Sequence, residues 1–155
     1  MKILVVFYSR SDNTRRVAAE IRTILDCDIE EVIDTQNRSG TLGYIRSVIH
    51  AIMKTPAIIE EIKNDPANYD LLIMGTPVWS GKMSTPTRAY IAQNHDKFNN
   101  MAFFCTAIGP NFDGTFSEME KLSETSPLAK MGLRAKEIND GSYKSKVAQF
   151  VEKIH

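Results

Sequence analysis

The hydrophobic positions along the chain fall into continuous apolar runs that alternate with amphipathic segments. Residues 2–8, KILVVFY, are a continuous run rich in β-branched side chains, which is typical of a strand buried on both faces. Residues 14–25, TRRVAAEIRTIL, instead predict an amphipathic helix. The apolar face of that helix would contain Val17, Ala18, Ile21, Ile24 and Leu25.

Further strands are predicted along the rest of the chain. Residues 28–34, DIEEVID, alternate between polar and apolar side chains, as a half-buried strand near a sheet edge does. Residues 69–77, YDLLIMGTP, and 101–109, MAFFCTAIG, are apolar runs that end in Gly or Pro. Residues 133–139, LRAKEIN, are predicted to form the last strand.

Helices are predicted between these strands. Residues 85–95 would form a helix with Ser84 as its N-cap and Pro86 in its first turn. Residues 116–124 and 143–154 predict two more, the last with Val147, Phe150, Val151 and Ile154 facing inward. Five strands that alternate with helices predict an α/β fold, with a parallel sheet that carries helices on both faces.

One long segment, residues 37–66, does not fit this alternation. Its apolar residues Ile45, Val48, Ile49, Ile52 and Met53 have helical spacing, which predicts an additional helix and a return segment. Arg46, His50 and Lys54 would form a basic stripe on the opposite side. The stripe is either a solvated helix face or a docking surface for an acidic partner.

The composition is that of an ordinary globular protein. The 155 residues predict one domain over 1–155, and 19 basic residues balance 19 acidic ones, which gives no reason to expect nucleic acid as a partner. No stretch approaches the roughly 20 apolar residues of a membrane span, so no membrane partner is expected. Cys27 and Cys105 are far apart and have no metal-ligand spacing, so we predict no disulfide framework, no metal site and a cytoplasmic location.

Polar residues follow the first predicted strand. Ligands of parallel sheets bind beyond the carboxyl ends of the strands, which here carry residues 9–14, 76–83 and 106–114. In the first of these segments, a helix N-terminus coincides with four polar side chains that could bind an anion: Ser9, Ser11, Asn13 and Thr14. This arrangement favours a phosphate site. The alternative is that Ser11 or Asn13 merely caps the helix.

Other phosphate and catalytic motifs do not match. Gly75 and Gly81 are separated by five residues and Met83 follows Lys82, so the spacing of a nucleotide-triphosphate loop is absent. No G-x-G-x-x-G follows a strand. The first loop also lacks the nucleophilic cysteine of a phosphatase and the paired acids of a receiver domain, so no catalytic side chain is assigned.

Two stretches resemble the flavodoxin family. Residues 9–14, SRSDNT, are similar to its T-x-T-G-N-T phosphate loop, and residues 69–81, YDLLIMGTPVWSG, resemble its strand and flavin-flanking loop. The resemblance covers most of the chain and implies a flavodoxin-like doubly wound sheet of five parallel strands, in the order 2-1-3-4-5, with bound FMN. The segment after the second strand is similar to that of a subgroup with a helical insertion there.

The resemblance implies an FMN site built from three loops. The phosphate would contact Ser9, Arg10, Ser11, Asn13 and Thr14. One side of the isoalloxazine would contact Thr76, Pro77, Val78, Trp79, Ser80 and Gly81, with Trp79 stacked on the ring, and the other side Thr106, Gly109 and Phe112. Asp12 stands where the family has glycine, and Arg10, Arg15 and Arg16 would offset its charge.

Three functions remain open. The first is an electron carrier between redox partner proteins, in which Gly81 is either an ordinary turn residue or the site of a peptide flip toward flavin N5–H. The second is an FMN-dependent NAD(P)H oxidoreductase acting on quinones or similar acceptors, favoured by zero net charge and by Lys82 and Arg88 near the ring edge. The third is a module that binds a phosphate ligand or partner without flavin, which Asp12 supports.

Overall fold

The structure is a computed structural model that describes residues 1–35 and 57–154. The helix predicted from Ile45 to Met53 and the basic stripe of Arg46, His50 and Lys54 lie outside the described residues. The predicted helical-insertion subgroup therefore stays a prediction. In the described part, the predicted alternation of strands and helices is confirmed.

A parallel sheet forms the centre of the molecule. Its strands are β1 (Ile3–Phe7), β2 (Asp28–Glu31), β3 (Leu71–Trp79), β4 (Lys82–Met83), β5 (Asn100–Ala107) and β6 (Lys130–Arg134). Their order is β2-β1-β3-β5-β6, and the short β4 pairs antiparallel with β3. When only the parallel strands are counted, this is the predicted order 2-1-3-4-5.

The registers of the central strands bring the ligand-binding loops together. Phe7 at the end of β1 pairs with Gly75, so β3 continues for four residues beyond β1, to Trp79. Thr106 near the end of β5 pairs with Pro77 in this extension. The loops after β1, β3 and β5 therefore leave the sheet at the same edge.

In the described part of the chain, five α-helices flank the sheet: α1 (Asn13–Leu25), α2 (Thr85–Asn94), α3 (Asp113–Ser123), α4 (Ala135–Asp140) and α5 (Tyr143–Glu152). Alternate strand residues point to opposite faces. Ile3, Val5 and Phe7 pack with α1, α4 and α5, whereas Leu4 and Val6 pack with α2 and α3. Because both faces are covered, the central strands are apolar throughout.

Two local predictions are wrong. The last strand, predicted over residues 133–139, instead spans Lys130–Arg134, and α4 follows at once. The Glu137 carboxylate accepts the Arg134 amide at 2.8 Å, which closes the first turn of α4 and lets Ile138 enter the core. Ile24, predicted on the buried face of α1, is 45% exposed.

Other predicted features are confirmed. Ser84 is the N-cap of α2, and its hydroxyl accepts the Thr87 amide at 3.3 Å, with Pro86 in the first turn. β2 lies at the sheet edge and is half-buried. In residues 1–35 and 57–154, no helix combines the length and apolar character needed to cross a membrane.

Candidate functional site

A cleft of about 370 Å³ opens at the carboxyl edge of the sheet. It lies between the loops after β1 and β5, the β3–β4 hairpin and the start of α4. Its lining residues are Arg10, Ser11, Asn13, Pro77, Val78, Trp79, Gly81, Thr106, Ala107, Ile108, Gly109, Pro110, Asn111 and Ala135. The volume falls in the range of about 300–1,000 Å³ that small-molecule pockets occupy.

Nine of the residues predicted to contact a cofactor line this cleft. They are Arg10, Ser11, Asn13, Pro77, Val78, Trp79, Gly81, Thr106 and Gly109. The other five, Ser9, Thr14, Thr76, Ser80 and Phe112, lie outside its lining. The three predicted segments thus meet at one cleft, and the residues outside the lining hold or surround its walls.

The loop after β1 is held by its own hydrogen bonds. The Ser9 hydroxyl donates to the Ser11 carbonyl and accepts the Arg15 amide at 3.3 Å. The N-cap of α1 is Asp12, whose side chain makes no capping hydrogen bond. Ser11 and Asn13 therefore do not cap the helix, and both side chains line the cleft beside the first amides of α1, which have no partner within the helix.

The charge of Asp12 is compensated within the loop. Arg15 pairs with Asp12 at 2.7 Å and also with Glu31. Hydrogen bonds to these two carboxylates, that to Asp12 first, raise the pKa of Arg15. Arg16, in contrast, points to α4 and donates to a backbone carbonyl there at 3.2 Å. Of the arginines predicted to offset Asp12, Arg15 makes the ion pair, while Arg10 lines the cleft.

A buried hydrogen bond joins the loop after β1 to the end of β5. The hydroxyl oxygens of Thr14 and Thr106 are 2.8 Å apart, and both residues are buried. Thr14 thereby fixes the first turn of α1 against the neighbouring wall of the cleft. The Thr14 hydroxyl therefore supports the wall of the cleft and does not line it.

The β3–β4 hairpin turns through Ser80 and Gly81, between the paired residues Trp79 and Lys82. Both turn residues have positive φ, 51° and 76°, as the two central positions of a type I′ turn require. A Cβ on Gly81 would meet no atom within 4 Å. Backbone conformation, not lack of space, therefore favours glycine at this position.

Trp79 belongs both to the cleft wall and to the core. It is the last residue of β3, only 4% exposed, and its ring meets that of Tyr8 edge-on at 5.6 Å between centroids. The strand predicted over residues 69–77 therefore continues to Trp79, which lies in β3 and not in the loop beyond it. Backbone pairing of Trp79 with Lys82 prolongs β3, so the Trp79 side chain packs in the core and also lines the cleft.

Thr76 braces the hairpin from behind. Its buried hydroxyl donates to the Pro77 carbonyl at 2.8 Å and accepts the Ser84 amide at 3.0 Å. The same hydroxyl that was predicted to contact a ring is thus engaged with the backbone at both ends of the hairpin. This contact fixes the start of α2 relative to the cleft.

The end of β5 and the loop after it contribute four lining residues that were not predicted from the sequence: Ala107, Ile108, Pro110 and Asn111. Ile108 is 88% exposed, an unusual position for a large aliphatic side chain. Phe112, predicted on the far side of the ring, instead covers Gly132 of β6, where an added Cβ would come within 2.3 Å of its ring. Ala135, also missed, enters the lining because α4 begins directly after β6.

The cations predicted near the ring edge, Lys82 and Arg88, are outside the lining of the first cleft. Lys82 and Arg88 line a separate cleft on the other side of the hairpin and are absent from the lining of the first. Arg88 is paired with Glu118 at 2.9 Å. In residues 1–35 and 57–154, no cluster of three or more His, Cys, Asp or Glu side chains could hold a metal ion.

Comparison with known proteins gives matches among solved structures alone. No protein-family model matches the chain. No curated protein matches it either.

Three solved structures illustrate the likeness. A flavoprotein of Lactobacillus acidophilus, in complex with FMN, has 24% identity and a TM-score of 0.73, over 91% of this chain and 98% of that one. The two-electron reduced flavodoxin of Megasphaera elsdenii has 14% identity and a TM-score of 0.57, over 84% and 85%. The apo form of an NADH:FMN oxidoreductase has 12% identity and a TM-score of 0.53, over 97% and 88%. The chain thus has the flavodoxin-like fold.

Proposed function

We propose that the protein binds FMN in the first cleft and transfers electrons between redox partner proteins. The observation that carries this proposal is the division of the cleft lining between polar residues of the loop after β1 and apolar residues of the β3–β4 hairpin, at the carboxyl edge of a flavodoxin-like sheet. FMN has the same division, since it joins a phosphate to a flat, largely apolar ring system. The FMN-bound flavoprotein with this fold supports the same assignment.

The polar end suits a phosphate. Ser11 and Asn13 line it, and the first amide groups of α1 face the same region with the positive end of the helix dipole. Arg10 adds a positive charge to the lining. Asp12 would oppose an anion, but its pairing with Arg15 reduces that effect, which removes the support for a module without flavin.

The apolar end suits a ring. Pro77, Val78 and Trp79 form one wall, and Ile108 lies in the opposite loop. Trp79 is held by the core and by Tyr8, so it presents a fixed surface, whereas exposed Ile108 can cover a ligand. Covering the ligand would bury Ile108 and exclude water from the ring.

The bound flavin would supply the redox chemistry, and the chain would supply position and access. The rim formed by residues 108–111 is exposed, so a partner protein can approach the ring end of the cleft directly. The hairpin places backbone groups of Ser80 and Gly81 beside that end. Gly81 leaves its peptide free to change conformation at little steric cost.

The decisive experiment compares FMN with riboflavin, which lacks the phosphate. Each charge-assisted hydrogen bond to the phosphate contributes about 1.5–3 kcal/mol, so we expect riboflavin to bind at least roughly tenfold more weakly. Quenching of flavin fluorescence measures both affinities. Equal affinities would contradict a phosphate site at α1, and no binding of either flavin would contradict the proposed function.

A second function is favoured by one observation, the cationic cleft that shares the β3–β4 hairpin with the first. It would suit an FMN-dependent oxidoreductase that takes electrons from NAD(P)H and passes them to quinones or similar acceptors. Oxidation of NADH or NADPH by the FMN-loaded chain, followed at 340 nm with a quinone present, separates the two functions. Sustained turnover supports the enzyme, and its absence supports the carrier.

We propose that the protein acts in the cytoplasm. Cys27 and Cys105 are both free, as a reducing compartment keeps them. Cys105 is fully buried at the sheet, and burial raises the pKa of its thiol, so it packs as a small hydrophobe. Fractionation of cells that express the tagged chain tests this location.

A further inference from the structure

A second cleft, of about 540 Å³, lies on the far side of the β3–β4 hairpin. It is formed by β4, α2 and α3. Its lining residues are Lys82, Arg88, Gly114, Ser117, Glu118, Lys121 and Leu122. None of these residues lines the first cleft, so the two clefts are separate surfaces.

Among the described residues, Glu118 is the single acidic side chain of this cleft, and it is already engaged. One oxygen of Glu118 accepts the Met83 amide at 3.0 Å, and the other accepts Arg88 Nη2 at 2.9 Å. Glu118 thereby holds the guanidinium in the cleft wall, where the Arg88 side chain is only 13% exposed. Arg88 Nη1 is buried and has no hydrogen-bond partner among the described residues, an energetically unfavourable state for a cationic donor.

Two lysines extend the positive charge. Within residues 1–35 and 57–154, neither Lys82 nor Lys121 forms an ion pair. With Arg88 they oppose one carboxylate, so the lining has a net charge of two positive units. A phosphate group carries about −1.5 to −2 charges at neutral pH, which matches this net charge better than the single charge of a carboxylate.

The two clefts share the hairpin as a common wall. Gly81 lines the first cleft, and the next residue, Lys82, lines the second. The Gly81 carbonyl oxygen is 3.3 Å from the place that a Cβ on Gly114 would occupy, so α3 packs directly on the turn. A molecule in the second cleft would therefore contact the same hairpin as the ligand of the first.

We propose that the second cleft binds the phosphate group of a small molecule. Lys82 and Lys121 attract the phosphate as point charges, and Arg88, held in the cleft wall by Glu118, adds its positive charge. This phosphate site does not rest on the proposed function, because none of its residues lines the first cleft.

The test is a titration of the full chain with inorganic phosphate at constant ionic strength, followed by amide chemical shifts, with acetate as the carboxylate probe. We expect phosphate to shift the amides of Lys82, Gly114, Ser117 and Lys121, and acetate to shift them less. The titration is repeated with saturating FMN, which would remove phosphate shifts in residues 9–14 but leave those of the second cleft. A failure of FMN binding thus leaves the second site measurable.

Three variants and a control sharpen the result. Lys82→Gln and Lys121→Gln should each weaken phosphate binding about twofold to fivefold, as expected for single partly exposed charges. Glu118→Gln removes the negative charge and keeps one of the two acceptor oxygens, so its NH2 group faces either the Met83 amide or Arg88. Because the lining then carries one more net positive charge, phosphate binding should strengthen by a similar factor. Lys144→Gln, on exposed α5 at the opposite face of the sheet, should change nothing.

The outcomes separate cleanly. Phosphate shifts at the second cleft that respond oppositely to Lys82→Gln and Glu118→Gln support the proposal. Shifts confined to residues 9–14 would overturn it. Acetate shifts equal to or larger than the phosphate shifts would overturn the phosphate assignment. If Lys144→Gln weakened phosphate binding as much as Lys82→Gln, the binding would be an effect of general surface charge, which would also overturn the proposal.

Discussion

The two ends of the first cleft are built differently. At the polar end, the lining side chains lie on the loop after β1, which the hydrogen bonds of Ser9 hold in place. At the ring end, the main wall residue, Trp79, belongs to the hydrophobic core. Ser11 and Asn13 can change without loss of packing, since neither is buried. Trp79 cannot, because it packs with Tyr8 and the core of that face. Substitutions at the polar end can therefore change ligand binding without changing stability, whereas a substitution of Trp79 changes both. We call these the separable end and the coupled end.

The largest expected effect is at the coupled end. Trp79→Ala should lower the free energy of unfolding by about 3–5 kcal/mol, as loss of a buried aromatic side chain does. Urea unfolding of the apo chain measures it. Trp79→Phe keeps a ring in the core and should lose less. If Trp79→Ala unfolded at the same urea concentration as the wild type, the indole would contribute to ligand binding and not to stability.

At the separable end, Asn13→Ala should weaken FMN binding by about 1.5–3 kcal/mol, roughly one to two decades, through a lost hydrogen bond to the phosphate. Riboflavin affinity and the urea midpoint should stay unchanged. Ile108→Ala, at an 88% exposed position, is the matched control. Ile108→Ala should weaken the binding of FMN and riboflavin equally, since Ile108 lies at the ring end. Fluorescence titration measures both affinities, and an equal loss of FMN and riboflavin binding in Asn13→Ala would contradict the prediction.

A third substitution tests the contact between the two ends. Thr14→Val removes the hydroxyl that lies 2.8 Å from that of Thr106 and leaves a buried oxygen without its partner. We expect a loss of about 1–3 kcal/mol in the free energy of unfolding and weaker binding of both flavins. Thr14→Ser, which keeps the hydroxyl, should behave closer to wild type. Equal unfolding midpoints for Val and Ser would show that the bond contributes nothing.

The smallest effect is at the turn. Gly81→Ala should cost about 1 kcal/mol of stability, because φ is 76° while the space for a Cβ is open. Gly109→Ala, where a Cβ also meets nothing within 4 Å and φ is not positive, should be close to neutral. If the turn peptide moves on reduction, Gly81→Ala alone should change the separation of the two one-electron reduction potentials, measured by spectroelectrochemistry. Identical separations in both variants would make Gly81 an ordinary turn residue.

The sequence by itself determined the sheet and the polar loop. Continuous apolar runs such as residues 2–8 are needed wherever a strand is covered on both faces, so they reveal parallel strands directly. Ser11 and Asn13 follow such a run immediately, and the edge of the sheet is where ligands bind. These features depend on neighbours along the chain, which a sequence displays.

Tertiary structure decided the rest, because it depends on contacts between distant residues. Phe112 was predicted on one side of the flavin ring, and only the fold shows that its side chain covers Gly132, twenty positions away on β6. Arg88 lies in the second cleft because Glu118 on α3 holds its guanidinium there. Trp79 became a core residue because backbone pairing with Lys82 prolonged β3. Local pattern specifies which strands and helices form, whereas the direction of each side chain follows from the packing partner that only the folded chain supplies.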